Sequence, residues 1–117
     1  MAIGVKRGDI WTVAGGAGYV GKPRPAVILQ DDAFDGTASV TICPFTTHSL
    51  DAPLMRLSIE PSDANGLRAP SQLMIDKITT VSRKKLEHRV GRLVDEDIVR
   101  LNRAVVVFLG LAGPRAR

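Results

Sequence analysis

The chain has 117 residues, with 16 Lys and Arg against 12 Asp and Glu, and its formal net charge is +4. The hydrophobic share of 44% and the charged share of 24% are typical of a globular protein and exclude intrinsic disorder. One cysteine, Cys43, excludes an intramolecular disulfide framework, and aromatic residues at 4% are too few for serial stacking of nucleic-acid bases.

A single domain over residues 1–117 is expected, because this length supplies one domain and no repeat or linker divides the chain. Residues 1–7 lack the apolar stretch of a signal peptide. The longest apolar run is also far shorter than the ~20 residues that cross a bilayer. The sequence therefore predicts a cytoplasmic protein without a membrane segment.

Six strands are predicted from short runs of alternating and β-branched residues. They cover residues 8–14, 26–29, 39–43, 54–60, 71–81 and 89–93. The third strand is expected to end at Pro44, which has no N–H for a central ladder, and the fifth is expected to bend at Asp76 and Lys77. The fourth strand has an apolar face, which carries Met55, Leu57 and Ile59. Its other face is polar and carries Arg56, Ser58 and Glu60.

A helix is predicted after the last strand, with Asp95 as its cap and an end near Gly110. Its apolar face is predicted to carry Ile98, Leu101, Val105 and Phe108. Turn-like loops join most of the strands, so the sheet is expected to be antiparallel. The predicted fold class is mainly β (α+β), a half-open antiparallel barrel with a C-terminal helix and a frayed tail at residues 112–117.

Residues 16–21 match the G-x-G-x-x-G pattern of dinucleotide-binding turns. In such a site the third glycine opens a helix, whereas Pro23 and Pro25 follow here. We therefore interpret the segment as a flexible loop between strands that is able to close over a substrate.

Arg24 stands between the two prolines, directly ahead of the buried second strand. Because Pro25 keeps this residue out of the α region, the guanidinium is aimed before a ligand arrives. A preorganised cation of this kind stabilises the negative charge that develops during phosphoryl transfer. A surface salt bridge at the entrance of a strand is the alternative interpretation.

A cluster of hydroxyls and one imidazole follows the third strand, at Thr46, Thr47, His48 and Ser49. Hydroxyls bind phosphate and ribose oxygens, and an imidazole transfers protons near neutral pH. Antiparallel pairing of the second and third strands would bring Arg24 and Thr46 to one edge of the sheet. The alternative is an ordinary polar loop at the end of a strand.

Asp76 interrupts an apolar strand, where it either pairs with Lys77 or faces a groove on the same face as Gln72. Basic residues dominate residues 76–92, a stretch that is either solvated or guides a phosphate backbone or an acidic partner.

Other catalytic arrangements have weaker support. His48 and His88 could act as acid and base on a ribose hydroxyl. A hydrolase triad of Ser71, His48 and Asp76 lacks the G-x-S-x-G elbow. No metal ion or other cofactor is expected, because two His and one Cys show no ligand-like spacing.

Three motifs occur in order along the chain: Lys6-Arg7-Gly8-Asp9-Ile10-Trp11, Arg24-Pro25-Ala26-Val27-Ile28-Leu29 and Cys43-Pro44-Phe45-Thr46-Thr47. Residues 76–81, residues 89–93 and the terminal helix extend the pattern over nearly the whole chain. By these motifs the chain resembles the MazF/PemK family of toxin endoribonucleases.

The resemblance implies an SH3-like (CcdB-like) barrel that forms a homodimer and cleaves single-stranded mRNA at specific sequences without a metal ion. It implies that Arg24 and Thr46 are catalytic, and that attack by the ribose 2′-hydroxyl leaves a 2′,3′-cyclic phosphate and a 5′-hydroxyl. Inhibition of translation and growth, and neutralisation by a cognate antitoxin with an acidic or disordered tail, are also implied. The expected substrate-binding residues are Lys22, Thr47, His48, Gln72, Asp76 and Lys77.

Two alternatives keep the same fold. A CcdB-like gyrase poison binds its target instead of cleaving RNA, and it depends on a C-terminal helix that ends in tryptophan, whereas the only tryptophan of this chain is Trp11. The other alternative is an inactive barrel that serves as an interaction module.

Overall fold

The structure of the protein, a computed structural model, describes residues 4–15 and 22–114. The predicted glycine-rich loop at residues 16–21 and residues 115–117 of the predicted tail lie outside these ranges. Within them the chain forms seven strands and one helix. These are β1 (Asp9–Val13), β2 (Arg24–Ile28), β3 (Ser39–Thr46), β4 (Arg56–Ile59), β5 (Ser71–Met74), β6 (Thr79–Ser82), β7 (Leu86–Arg92) and α1 (Asp95–Phe108).

All strand pairs are antiparallel, as predicted, and the sheet has the order β4-β5-β3-β2-β1-β7. The long strand β3 is the centre of this sheet, because β5 pairs with its C-terminal end and β6 with its N-terminal end. A 3₁₀ turn at Ile75–Lys77 separates β5 from β6. The predicted bend at Asp76 and Lys77 is confirmed, and it divides the predicted fifth strand in two.

Pro44 lies inside β3, so the prediction that the third strand ends at this residue is wrong. The N–H of Leu29 donates to the carbonyl of Thr41, so Thr41 and Cys43 direct their backbone groups toward β2. The nitrogen of Pro44 therefore points the other way, into the stretch where the 3₁₀ turn interrupts the ladder between β5 and β6. A missing N–H removes no ladder hydrogen bond there.

The sheet carries an apolar core on each face. Ile10 and Val27 belong to the first core, and their neighbours Trp11 and Ala26 belong to the second, because successive side chains of a strand point to opposite faces. The first core includes the buried Leu101 of α1, so the helix covers that face. The predicted burial of the second strand on both faces is confirmed by these contacts.

Two details of the helix differ from the prediction. Val94 rather than Asp95 occupies the cap position, and Asp95 is instead the first helical residue, paired with Arg92 at 3.2 Å. Phe108 is 44% exposed, because the contacts of α1 with the first core run from Ile98 to Val105 and leave the last turn outside. Within the described residues, no helix is long and apolar enough to cross a membrane.

Candidate active site

Strands β2 and β3 bring Arg24 and Thr46 together. Ala26 pairs with Pro44, so Arg24 at the start of β2 and Thr46 at the end of β3 lie at the same edge of the sheet. Both residues line one open cavity of about 480 Å³, which we call the main cavity. The juxtaposition expected from antiparallel pairing is therefore present.

The main cavity combines an apolar floor with a cationic rim. Val13, Ala26 and Ile42 of the second core form part of its floor. The charged members of its described lining are Arg24, Lys77 and Lys85, and none of that lining is acidic. Three positive charges around one opening favour a phosphate group.

The hydroxyl of Thr46 is held by the loop that follows β3. Its Oγ1 accepts a hydrogen bond from the backbone N–H of His48 at 3.1 Å. Because this bond uses the oxygen as an acceptor, the hydroxyl proton is available for donation to a bound group. Thr46 thus supplies a positioned neutral donor beside the cationic rim.

A second, smaller cavity of about 220 Å³ shares Thr46 with the main cavity. We call it the side cavity. Its other lining residues are polar except for one proline and comprise Thr47, Ser49, Ser58, Glu60, Pro70, Ser71 and Gln72. Thr46 therefore stands on the ridge between a cationic and a polar, partly acidic cavity.

Gln72 holds the loop after β3 in place. Its side-chain oxygen accepts from the N–H of Leu50 at 3.0 Å, and its side-chain NH₂ donates to the Leu50 carbonyl at 3.1 Å. The amide is thereby occupied at both ends. Gln72 lies in the wall of the side cavity, and the contacts of its side chain stabilise the loop that carries Thr47 and His48.

Asp76 forms a bidentate ion pair with Arg56. The Nε and an Nη of Arg56 donate to its two carboxylate oxygens at 2.9 and 3.2 Å. These hydrogen bonds hold the pKa of the Asp76 carboxyl below its ordinary value, because they stabilise the charged form. The pairing partner is thus Arg56 and not Lys77, and the carboxylate lines neither cavity.

Because of this ion pair, the side chain of Arg56 is largely buried, although the sequence places it on the polar face of the fourth strand. The side chain of Arg56 is only 9% exposed, since a guanidinium tolerates burial when a carboxylate neutralises it. The neighbouring thiol of Cys43 is buried as well. Burial, with a smaller contribution from Asp76, raises the pKa of Cys43 to about 12, so the thiol stays neutral and is a poor nucleophile.

The basic stretch at residues 76–92 does not form one surface. Arg83 is buried and donates to the backbone carbonyls of Thr37 and Phe34. Arg89 and Arg92 pair with Asp9 and Asp95. Of the basic residues in this stretch, only Lys77 and Lys85 line the main cavity.

The remaining predicted site residues lie outside the main cavity. Lys22 and His48 are exposed and line neither cavity, and Thr47 borders only the side cavity. His88 lies in β7, where its backbone exchanges hydrogen bonds with the hydroxyl of Thr12.

The hydrolase triad finds no support in the described residues. Ser71 Oγ donates to the Ala69 carbonyl and Asp76 is held by Arg56, so neither contacts His48. Over residues 4–15 and 22–114, no group of His, Cys, Asp and Glu is arranged to hold a metal ion.

Comparison with known proteins identifies the family. The sequence pattern of the PemK-like, MazF-like toxins of type II toxin–antitoxin systems matches residues 6–109. The chain belongs to this family. A probable endoribonuclease MazF of Mycolicibacterium smegmatis is 61% identical over 109 residues, which cover 93% of this chain and 100% of that protein.

Solved structures show the PemK/MazF fold. A mycobacterial endoribonuclease in complex with its cognate antitoxin superposes with a TM-score of 0.76 at 24% identity, covering 93% of this chain and 98% of that one. The Mycobacterium tuberculosis toxin MazF-mt6 gives a TM-score of 0.74 at 22% identity, covering 87% and 96% of the two chains. The predicted half-open antiparallel barrel with a C-terminal helix is therefore confirmed.

Of the four charged residues in the described lining of the two cavities of this PemK/MazF member, two were not among the predicted site residues. Lys85 reaches the main cavity from a 3₁₀ turn at Arg83–Lys85, and Glu60 reaches the side cavity from the end of β4. The alternating pattern of the predicted fourth strand, residues 54–60, places Glu60 on the polar face, and this is the only sequence signal for it.

Proposed function

We propose that the chain is a metal-independent endoribonuclease toxin that cleaves single-stranded mRNA at specific sequences. The observation that carries this proposal is that Arg24 and Thr46 lie together at the edge of a cavity whose described charged lining residues are all cationic. Membership of the PemK/MazF family and the name of the 61% identical relative support the same activity. As a single domain over residues 1–117 acting in the cytoplasm, the protein inhibits translation and growth.

The ribose 2′-hydroxyl attacks the adjacent phosphorus, a new P–O2′ bond forms and the P–O5′ bond breaks. The products are a 2′,3′-cyclic phosphate and a 5′-hydroxyl, and the proton lost from the 2′-oxygen is balanced by the one gained by the 5′-oxygen. Arg24 stabilises the negative charge that develops on the phosphoryl oxygens, and the Thr46 hydroxyl donates to one of them. A guanidinium carries a permanent positive charge, so Arg24 acts here as a charge rather than as a proton donor.

The proposed partners follow from the same cationic rim. One structural neighbour was solved as an endoribonuclease in complex with its cognate antitoxin. An antitoxin with an acidic or disordered tail would compete with RNA for Arg24, Lys77 and Lys85. We also propose that the toxin acts as a homodimer.

Gyrase poisoning receives no support from the fold. Trp11 is buried in the second core, where it is 8% exposed, and it is remote in sequence from the C-terminal helix. A binding mode that presents a tryptophan at the end of α1 is therefore not available to this chain.

The proposed reaction is tested with a single-stranded RNA incubated in EDTA and with the same RNA carrying a 2′-deoxy nucleotide at the observed cleavage position. We expect cleavage of the first RNA, with cyclic-phosphate and 5′-hydroxyl ends, and protection of that position in the second. Intact RNA in EDTA, or cleavage at the 2′-deoxy nucleotide, would contradict the proposal.

A further inference from the structure

The side cavity contains polar groups that the fold itself does not use. Among the described residues, no hydrogen bond or ion pair involves the carboxylate of Glu60 or the hydroxyls of Thr47 and Ser58. The side-chain amide of Gln72, in contrast, is hydrogen-bonded to the backbone of Leu50. The unpartnered groups converge on one opening next to Thr46, which points to a ligand.

The strand register explains why these groups face the same opening. Thr46 pairs with Gln72, and Gln72 pairs with Ser58 on its other side. Residues directly opposite one another across a sheet project from the same face, so the three side chains form a row from β3 across β5 to β4. Glu60 lies two positions beyond Ser58 and extends that face.

Glu60 has a rigid support although its side chain is exposed. Its backbone carbonyl accepts a hydrogen bond from the side-chain NH₂ of Asn65 at 2.8 Å. Asn65 is buried, and its side-chain oxygen accepts from the N–H groups of Ser62 and Leu67. These hydrogen bonds hold the backbone from which the Glu60 side chain extends.

The two cavities differ in charge, and this difference separates their ligands. The main cavity is cationic and suits a phosphate. The side cavity carries the carboxylate of Glu60, which repels a phosphate and accepts hydrogen bonds only. An RNA chain whose scissile phosphate lies at Thr46 can therefore place a base, but not a phosphate, beside Glu60.

We propose that the side cavity is a nucleobase subsite next to the scissile phosphate and that Glu60 selects a base with amino-group donors, guanine above all. Guanine presents two adjacent N–H donors to the two carboxylate oxygens, whereas adenine and cytosine present one amino group and uracil has carbonyls on both sides of its N–H. At about 220 Å³ the cavity is smaller than the ~300–1,000 Å³ of pockets for drug-sized ligands and suits one base. The assignment deepens the proposed nuclease function and rests on it.

The subsite is tested by binding, with cleavage excluded. Randomised single-stranded octamers with 2′-fluoro ribose, which has no hydroxyl to attack phosphorus, are selected on the wild-type protein, on Glu60→Gln and on Glu87→Gln. Glu87 is an exposed residue of β7 that lines neither cavity, and it serves as the matched control. Thermal unfolding of the variants confirms that each is folded.

We expect the wild-type protein and Glu87→Gln to enrich guanine over uracil about tenfold at one position, since a bidentate contact discriminates by roughly that factor or more. In Glu60→Gln the preference is expected to fall to about twofold or less, because the amide presents a donor to the base. An unchanged profile in Glu60→Gln, or no positional enrichment by the wild-type protein, would overturn the subsite.

The same selected sequence with a 2′-hydroxyl separates the two proposals. If it binds with the Glu60-dependent preference but stays intact, the nuclease proposal fails while the base subsite stands. If it is cleaved with no dependence on Glu60, the subsite fails while the nuclease proposal stands.

Discussion

Thr46 is the residue whose position carries most of the proposed chemistry. It ends β3, borders both cavities and accepts the N–H of His48. Thr47 is one residue further along, exposed, and limited to the side cavity. Two adjacent residues with the same hydroxyl are therefore expected to differ widely in their effect on the reaction.

Thr46→Ala is expected to lower the single-turnover cleavage rate about a hundredfold, because one donor to the developing phosphoryl charge is lost. Thr46→Ser keeps the hydroxyl and should retain most of the rate. Thr47→Ala serves as the matched control and should cost less than about tenfold. Equal losses in Thr46→Ala and Thr47→Ala would remove the reason for placing Thr46 at the reacting phosphate.

At the scale of elements, the 3₁₀ turn at Ile75–Lys77 shapes the site. It lets β5 and β6 pair with the two ends of β3, and it brings Lys77 to the main cavity. The Arg56–Asp76 ion pair fastens this turn to β4. Because folding lowers the pKa of Asp76, the pair stabilises the fold above the ordinary carboxyl pKa, and this contribution is lost as the pH falls through the lowered value.

Asp76→Asn is expected to lower the free energy of unfolding by about 1–3 kcal/mol at pH 7, a value between those of exposed and fully buried pairs. The difference from the wild-type protein should begin to shrink below about pH 4, because the carboxyl of the unfolded chain takes up a proton there, whereas that of the folded protein does so only at its lowered pKa. Asp95→Asn breaks an exposed pair with Arg92 and should cost only about 0–1 kcal/mol. Urea unfolding at pH 7 and pH 3 measures both, and a pH-independent difference would show that the ion pair is not its source.

The sequence predicted most elements of this fold because they depend on local patterns. The continuous apolar run of β2, the alternation of β4 and the amphipathic helix are visible in a few neighbouring residues. The burial of Arg83 and the pairing of Arg56 with Asp76 depend on partners far along the chain, so no local pattern indicates them. No local pattern shows that β3 tolerates Pro44 either, because the interrupted ladder beside this residue exists only in the assembled sheet.

The site was predictable in part. Arg24 and Thr46 stand out from their neighbours, and antiparallel pairing suffices to place them at one edge. Lys85 and Glu60 reach their cavities only through the fold, because a turn and a strand end carry them there.

For the whole molecule, the net charge of +4 is less informative than its distribution. Arg83, Arg89 and Arg92 bond to groups outside the main cavity, and the described charged residues that line this cavity are Arg24, Lys77 and Lys85. Three phosphate contacts with a single strand predict that the logarithm of RNA affinity falls with the logarithm of salt concentration with a slope of about −2.

Removing two of these three cations tests whether the rim of the main cavity binds the RNA backbone. In Lys77→Gln/Lys85→Gln the slope should decrease in magnitude to about −0.7, whereas Lys84→Gln, an exposed neighbour outside the cavity, should leave it unchanged. Binding of a non-cleavable RNA across a salt series gives the slopes. A flat response, or an equal effect of the Lys84 change, would show that the cavity rim does not bind the backbone.

The central claim is that Arg24 and Thr46 form the site at which RNA is cleaved, and its most direct test is the single-turnover cleavage rate of Arg24→Ala in EDTA. Arg103→Ala is the matched control, because Arg103 is exposed on α1 and lines neither cavity. We predict a loss of about 10²–10³-fold or more for Arg24→Ala, with cyclic-phosphate ends on the residual product, and no loss for Arg103→Ala. Cleavage by Arg24→Ala at the wild-type rate would contradict the account.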